Sequence, residues 1–443
     1  MSDTGNIAPF LPISATDYLP ADKLRQLQLH RLGRIVARAY ERVELFRQRM
    51  DERGLAPSDI TSLADITKLP FTVKNDLRET YPFGLFASDM GDIVRLHASS
   101  GTTGKPIVVS YTRGDIEIWK EVMMRTLAAC GLHAGDIIQN SYGYGLFTGG
   151  LGAHYGAEAL GATVIPTSGG QTERQIMVMK DFGVTAICCT PSYLAHLLER
   201  AEEMGVDVRA LPIRAAILGA EPWSDAMGRK LQDQGGLKVF DIYGLSEIIG
   251  PGVAGQCHAQ HGLHIFEDHF YPEIIDPLTG QAVPDGEEGE LVLTTLTKQA
   301  MPMIRYRTRD ITSFITERCP CGRSVRRIQR IRRRSDDMFI IRGVNVFPSQ
   351  VETALMEIEG TLPHYQIVLT REKGLDQMEV LVEVTPEFFS DEIRKLEALQ
   401  KTLTNAIEHT IGLRVTVKLV EPHTVQRSTG KARRLIDNRE EVI

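Results

Sequence analysis

Cysteine is scarce in this chain: six in 443 residues, at positions 130, 188, 189, 257, 319 and 321. That density excludes a disulfide scaffold. Positive charge is not in excess either. The formal net charge of -7 gives no general reason to expect nucleic acid or an anionic membrane as partner. No apolar run approaches the ~20 residues of a membrane-spanning helix. The opening stretch, MSDTGNIAPFLPISATD, lacks the basic segment and following apolar segment of a secretory signal. A cytoplasmic location is therefore expected. Internal repeats and low-complexity tracts are also missing.

What remains is an ordinary globular composition, 42% apolar and 24% charged, long enough for two or three domains. Apolar residues near helical spacing predict a helix over 22–50. From 92 to about 245, short β-branched runs (DIIQNSY, GATVIPTS, VTAICCT, IRAAILGAE) alternate with helical patterns near 113–130, 172–182, 191–204 and 224–234. That alternation predicts an α/β architecture with a largely parallel sheet. Between 263 and 317 turn residues bracket the strands, as in an antiparallel meander. The order strand, helix, strand, strand, helix, strand over 337–420 predicts a separate small α+β domain. The expected division is a large N-terminal domain, 1–335, and a small C-terminal domain, 336–443.

One stretch carries chemistry on its face: HASSGTTGKP, from His97 to Pro106. A Walker loop needs four residues between its first glycine and Gly-Lys, then Ser or Thr. Here only two residues separate Gly101 from Gly104, and Lys105 precedes Pro106. The nucleotide-triphosphatase reading fails on that spacing. Backbone N–H groups, the hydroxyls of Ser99, Ser100, Thr102 and Thr103, and one lysine still suit a polyphosphate. The alternative is a polar hairpin turn without a ligand.

SSGTTGKP resembles the phosphate-loop signature of the adenylate-forming enzymes, which include acyl-CoA synthetases, peptide-synthetase adenylation domains and luciferases. Three further stretches match that superfamily in order: YGLSE (243–247), YRTRD (306–310) and RSTGKARR (427–434). YPFGLF, YGYGLFTGG, GAEPW, GLHIFEDHFYPEIIDPLTG and DDMFIIRGVNVFPSQVE are similar to the phenylacetate–CoA ligase family, and the resemblance runs from about residue 20 to 440. One position departs from it. Arg333 stands where the family has the glycine of Gly-Arg-Ser-Asp-Asp, which matters if that position needs positive φ.

The resemblance implies the adenylate-forming fold with a mobile small domain, and the roles that follow. Lys431 would be the cation that joins carboxylate and α-phosphate. Glu247 would hold Mg²⁺ on the phosphates, a hard cation on an anionic oxygen; otherwise it caps a helix starting near Ser246. Asp310 would accept hydrogen bonds from both ribose hydroxyls, or else pair with Arg307 or Arg309. Tyr243 and Gly244 would lie beside the adenine and Glu221 beside the nucleotide. Arg334, with Arg330 as the reserve, would face the nucleotide unless it is a solvated surface charge. Tyr144, Phe147, Gly219 and Ala220 would form a flat slot for an aryl acid, if the two aromatics are not plain core. Asp336 would be the pivot about which the small domain swings to admit coenzyme A. A homodimer is the family expectation.

Cys319-Pro-Cys321, with Cys257 and His264 upstream, makes a Cys₃His set suited to structural Zn²⁺, against reduced free thiols at a turn. His258 and His261 compete for the fourth place. The arginines that follow, Arg323 to Arg334, could suggest nucleic-acid binding. Without interleaved aromatics in an acidic chain, that reading is set aside. The sequence thus predicts an AMP-forming ligase using ATP, Mg²⁺ and coenzyme A on a small aryl carboxylic acid, phenylacetate first. Three alternatives remain open here: another aryl acid (an indoleacetate, hydroxyphenylacetate or benzoate), transfer to a carrier protein, or a silent AMP-binding protein.

Overall fold

The structure is a computed structural model that describes residues 10–99, 106–331, 333–335, 337–342, 344–372, 375–385, 388, 393–428 and 430–439. The four β-branched runs become the strands Ile137–Asn140, Thr163–Ile165, Ala186–Cys189 and Ala215–Leu218, paired in parallel. Ala186–Cys189 and Ala215–Leu218 are buried at every position, as strands covered on both faces must be. Lys238–Leu245 adds a fifth parallel strand, after which the direction alternates through Gly250–Gly255, Leu263–Ile265, Arg327–Ile328 and Phe314–Ile315. One nine-stranded mixed sheet results.

Helices cover this sheet, and their starts are chemically marked. Thr112 and Asp115 form a reciprocal cap on Arg113–Ala129, with N···O distances of 3.1 and 2.8 Å. Thr190 accepts from the Tyr193 N–H at 3.2 Å, with Pro191 at the first helical position of Pro191–Glu203. Both devices satisfy orphan N–H donors of a first turn. The helix expected over 22–50 is two helices, Ala21–Arg42 and Glu44–Asp51, because Val43 takes an extended conformation. Gly149–Leu160 is a helix that the pattern missed.

The meander is a second sheet, ordered Phe270–Ile275, Gly289–Thr295, Tyr306–Thr312 and Arg333–Arg334. Arg333 pairs with Ile311 and is not among the residues with positive φ. Arginine therefore costs nothing there in backbone conformation. The hydroxyl-rich stretch lies between Ile93–Ser99 and Ile107–Thr112, an antiparallel pair. Residues 100–105 themselves, and Asp336, lie outside the described residues.

The small C-terminal domain holds a four-stranded sheet, ordered Thr416–Val420, Leu375–Val384, Thr361–Glu372 and Leu435–Asp437, with helices Pro348–Met356 and Ile393–Ile411. Two details differ from the expected order. Its first strand is a hairpin, Phe339–Ile341 with Val344–Val346, and an edge strand follows the Gly-Lys segment. One apolar cluster continues from helices Thr172–Asp181 and Pro191–Glu203 into this domain's core.

Candidate active site

The carboxyl ends of parallel strands, where the chain turns toward the covering helices, are the usual ligand side of an α/β sheet. Here they open on a cavity of about 880 Å³. Tyr142 and Gly143 follow one strand, Thr190 a second, Ala220 and Glu221 a third, and Tyr243 to Glu247 end a fourth. From the meander come Tyr306, Asp310 and Arg334; from the small domain, Gly430 and Lys431. Stretches far apart in sequence thus meet on one volume.

Within it, the Tyr243 hydroxyl donates to Asp310 Oδ2 at 2.5 Å, and Arg334 Nε stands 3.7 Å from Asp310 Oδ1. Burial and the adjacent Asp310 carboxylate push the Tyr243 hydroxyl well above its ordinary range. Asp310 and Arg334 are register partners across two strands, so their approach is fixed by backbone pairing.

Glu247 is buried, and its Oε1 accepts from Tyr306 at 3.3 Å. Among the described residues no cation pairs with its carboxylate. It does not cap a helix: residues 246–249 form a turn. Two groups hold that turn from beneath. Lys298 Nζ donates to the Glu247 carbonyl at 2.9 Å, and Tyr111 donates to Ile249 O at 3.1 Å. Lys298 is 1% exposed, over the Tyr111 ring, and burial brings its ammonium down to about 8. Nothing in the motifs announced Lys298.

Lys431 opens onto the cavity with its Nζ 5.8 Å from the centre of the Phe147 ring. Loss of water to the surrounding walls, then Arg334, push its ammonium down; Glu221 and Glu247 oppose that. Its neighbours are docked on the large domain. Thr190 donates to Gly430 O at 3.0 Å, and the Ala432 N–H points to Glu221 Oε2 at 3.4 Å. Ser192 donates to the other Glu221 oxygen. Burial raises the Glu221 carboxyl, while Arg434 and these donors offset part of the rise. Thr190, Ser192 and Lys74, which also lines the cavity, carried no signal readable in advance.

Phe147 and Ala220 line the cavity, joined by Leu146. Tyr144 and Gly219 are not among its walls. The Tyr144 hydroxyl takes a hydrogen bond from Asn140 at 2.7 Å and lies 3.1 Å from His154 Nδ1. Gly219 is packed so that a Cβ would come within 2.8 Å of Ile242. Arg330 also stands apart, on a neighbouring cleft. It pairs with Asp241 and Asp225 at 2.9 and 2.7 Å and stacks on Trp223. Of the two candidate arginines, Arg334 is the one at the cavity.

Away from this cavity, Cys257, His264, Cys319 and Cys321 converge, all buried, with ligand atoms within 4.8 Å of one another. Cys257 Sγ lies 3.6 Å from Cys319 Sγ, and Cys321 Sγ lies 3.4 Å from His264 Nε2. These are non-bonded separations, close to the ~3.8 Å edge of a tetrahedron with ~2.3 Å zinc–sulfur bonds. His261 is engaged by Arg327 at 3.0 Å.

Comparison with known proteins follows the same lines. The family models for AMP-binding enzyme and for AMP-binding enzyme C-terminal domain match residues 46–300 and 343–439. A phenylacetate-coenzyme A ligase of Thermus thermophilus is 50% identical over 435 residues, covering 95% of this chain and 98% of that one. One of Aromatoleum evansii is 51% identical over 421 residues, 94% and 95% of the two chains. Among solved structures, 2-hydroxyisobutyryl-CoA ligase in the postadenylation state, with an acyl-AMP, matches with a TM-score of 0.90 and 28% identity, over 97% of this chain and 94% of that one. The same ligase with CoA in the thioesterification state, at 29% identity over the same shares, gives 0.71.

Proposed function

The chain belongs to the phenylacetate–coenzyme A ligase family of AMP-binding enzymes, and from that membership we propose that it makes phenylacetyl-CoA through an acyl-adenylate. A carboxylate does not acylate a thiol at a useful rate, because its oxygen is a poor leaving group. In the first half-reaction a carboxylate oxygen attacks the α-phosphorus of ATP, and the bond to pyrophosphate breaks. In the second, the sulfur of CoA attacks the acyl carbon, and AMP leaves with the bridging oxygen. Two anions must meet in the first step, so fixed cations and dipoles at the developing charge carry the rate.

The observation that supports this best is the convergence of Lys431 with Tyr243, Asp310 and Glu247 on one cavity. Asp310 would take the ribose hydroxyls, with Tyr243 and Gly244 beside the base and Arg334 toward the phosphates. Residues 99–105 would hold the polyphosphate. Glu247 fits a magnesium ion, since a buried carboxylate with no cationic partner among the described residues suits a hard divalent ion. Bound there, the ion would neutralise phosphate charge. Phe147 and Leu146 remain 37% and 68% exposed while lining the cavity, an apolar surface of the kind a ligand covers. An aryl ring against Phe147 puts its carboxylate within reach of Lys431 Nζ. Glu221, beside the Lys431 segment, would act on the nucleotide side through that segment.

The greater similarity to the relative's postadenylation state supports reading this arrangement as the adenylating one. Rotation of the 336–443 domain about Asp336 would then withdraw Lys431 and admit CoA. Cys257, His264, Cys319 and Cys321 would hold a structural zinc that ties His264 on its strand to the loops bearing the three cysteines and takes no part in the chemistry. A homodimer is proposed from the family resemblance, and a cytoplasmic location from the sequence.

The test is a panel of aryl and alkyl acids with ATP, Mg²⁺ and CoA, scored for pyrophosphate and thioester, on the parent and on Lys431→Ala. The parent should prefer phenylacetate. The variant should lose pyrophosphate release yet still convert supplied phenylacetyl-adenylate and CoA to thioester. Equal loss of both half-reactions would refute the role given to Lys431. No thioester from phenylacetate by the parent would refute the substrate.

A further inference from the structure

Lys431 sits in a stretch whose described residues, 421–428 and 430–434, lie outside any strand until Leu435 joins the small sheet. A long side chain on an irregular loop samples many positions, and ordering it costs conformational entropy. Yet its backbone is held on both sides by the other domain. Thr190 donates to Gly430 O, and Glu221 accepts from the Ala432 N–H. These two residues follow Ala186–Cys189 and Ala215–Leu218, adjacent parallel strands, so they stand on rigid ground. Thr190 is fixed further by the Tyr193 N–H, and Glu221 by the Ser192 hydroxyl. The helix that follows Thr190, Pro191–Glu203, holds the stretch again at Glu199, two residues beyond its middle. There Arg427 bridges Glu199 of that helix, at 2.6 and 2.9 Å, to Glu383 of the small domain, at 2.7 Å. Burial pushes the Glu199 carboxyl up, but His196, Arg427 and His364 outweigh it and hold the group at about 2.

We propose that Thr190, Ser192 and Glu221 form a receptor for the backbone of Gly430 and Ala432, and act as positioning residues for adenylation alone. Lys431 is clamped between the two bonded residues, so the receptor sets where its ammonium points. A receptor on the large domain can act only while the small domain is docked on it, and the thioester step runs in another orientation. The inference rests on the role given to Lys431 above.

The experiment compares both half-reactions in the full-length enzyme carrying Thr190→Val, Thr190→Ser or Ser192→Ala, with Lys431→Ala alongside. Thr190→Val and Ser192→Ala should slow pyrophosphate release on the order of tenfold to a hundredfold, the scale of a misplaced reacting group. Thioester formation from supplied phenylacetyl-adenylate should keep its parental rate, and Thr190→Ser should restore adenylation. Thr190→Val also weakens a helix cap, which lowers the folded fraction and scales both rates together; only their ratio reads the receptor. An unchanged ratio, with Lys431→Ala selective for adenylation, overturns the receptor and leaves the lysine's role standing. If Lys431→Ala is itself unselective, both fall.

Discussion

Replacing Lys298 by methionine should leave the fold as stable as the parent, or more so, while weakening adenylation. The lysine is 1% exposed and its ammonium is brought from 10.5 to about 8 by burial, against the opposing pull of Asp115 and Glu247. Below pH 8 it is protonated in both the folded and the unfolded chain, and the folded state carries the full burial cost, about 3 kcal/mol. Between pH 8 and 10.5 the folded site sheds its proton while the unfolded chain retains it. Parental stability should therefore rise with pH across that window. Methionine carries no proton and has similar bulk, so the burial cost disappears. Against this, the Glu247 carbonyl loses its 2.9 Å donor, which costs about 1–3 kcal/mol. At pH 7 the variant should come out between neutral and about 2 kcal/mol more stable. Its advantage should shrink as pH rises past 8. Urea midpoints of parent and variant between pH 7 and 10 measure this directly. A variant destabilised by several kcal/mol at pH 7, or a gap that widens with pH, would refute the reasoning. The turn bearing Glu247 loses one of its two supports, so the Mg–ATP concentration for half-maximal adenylation should rise on the order of tenfold, the effect of displacing a positioned group by a fraction of an ångström.

Cys321→Ser should abolish zinc binding, measured as metal per protein after metal-replete expression, and lower the melting temperature. The rate per folded molecule should be retained, and metal-free parental protein would remove the site. Asp310→Asn should raise KM for ATP on the order of tenfold, as expected when a charge-assisted acceptor becomes neutral, and leave KM for the acid unchanged. A change confined to the acid would move Asp310 out of the nucleotide's reach.

Much of the fold was legible because its strands are buried on both faces and read as apolar runs, as Ala186–Cys189 does. Gly149–Leu160 was not, since four glycines in twelve residues argue against a helix. Their reason is tertiary: a Cβ on Gly152 or Gly156 would meet Trp119 at 2.8 Å or Met123 at 2.5 Å. Among site residues, Asp310, Tyr243, Glu247 and Lys431 lie in contiguous motifs, and the structure brings them to one cavity. Tyr144 sits in a motif too, yet its neighbour Phe147 takes the wall while Tyr144 turns to Asn140 and His154. Adjacency in sequence does not fix which ring faces inward. Lys298 and Thr190 act through backbone carbonyls 51 and 240 residues away, a relation that no local pattern encodes.

The strand pairing that joins Asp310 to Arg334 continues through Ser335, whose N–H donates to Arg309 O at 2.8 Å. A swing beginning beyond that point would leave the Asp310–Arg334 pair stationary. If Asp310 holds the ribose as proposed, an acyl-adenylate would keep that grip between the two halves of the cycle.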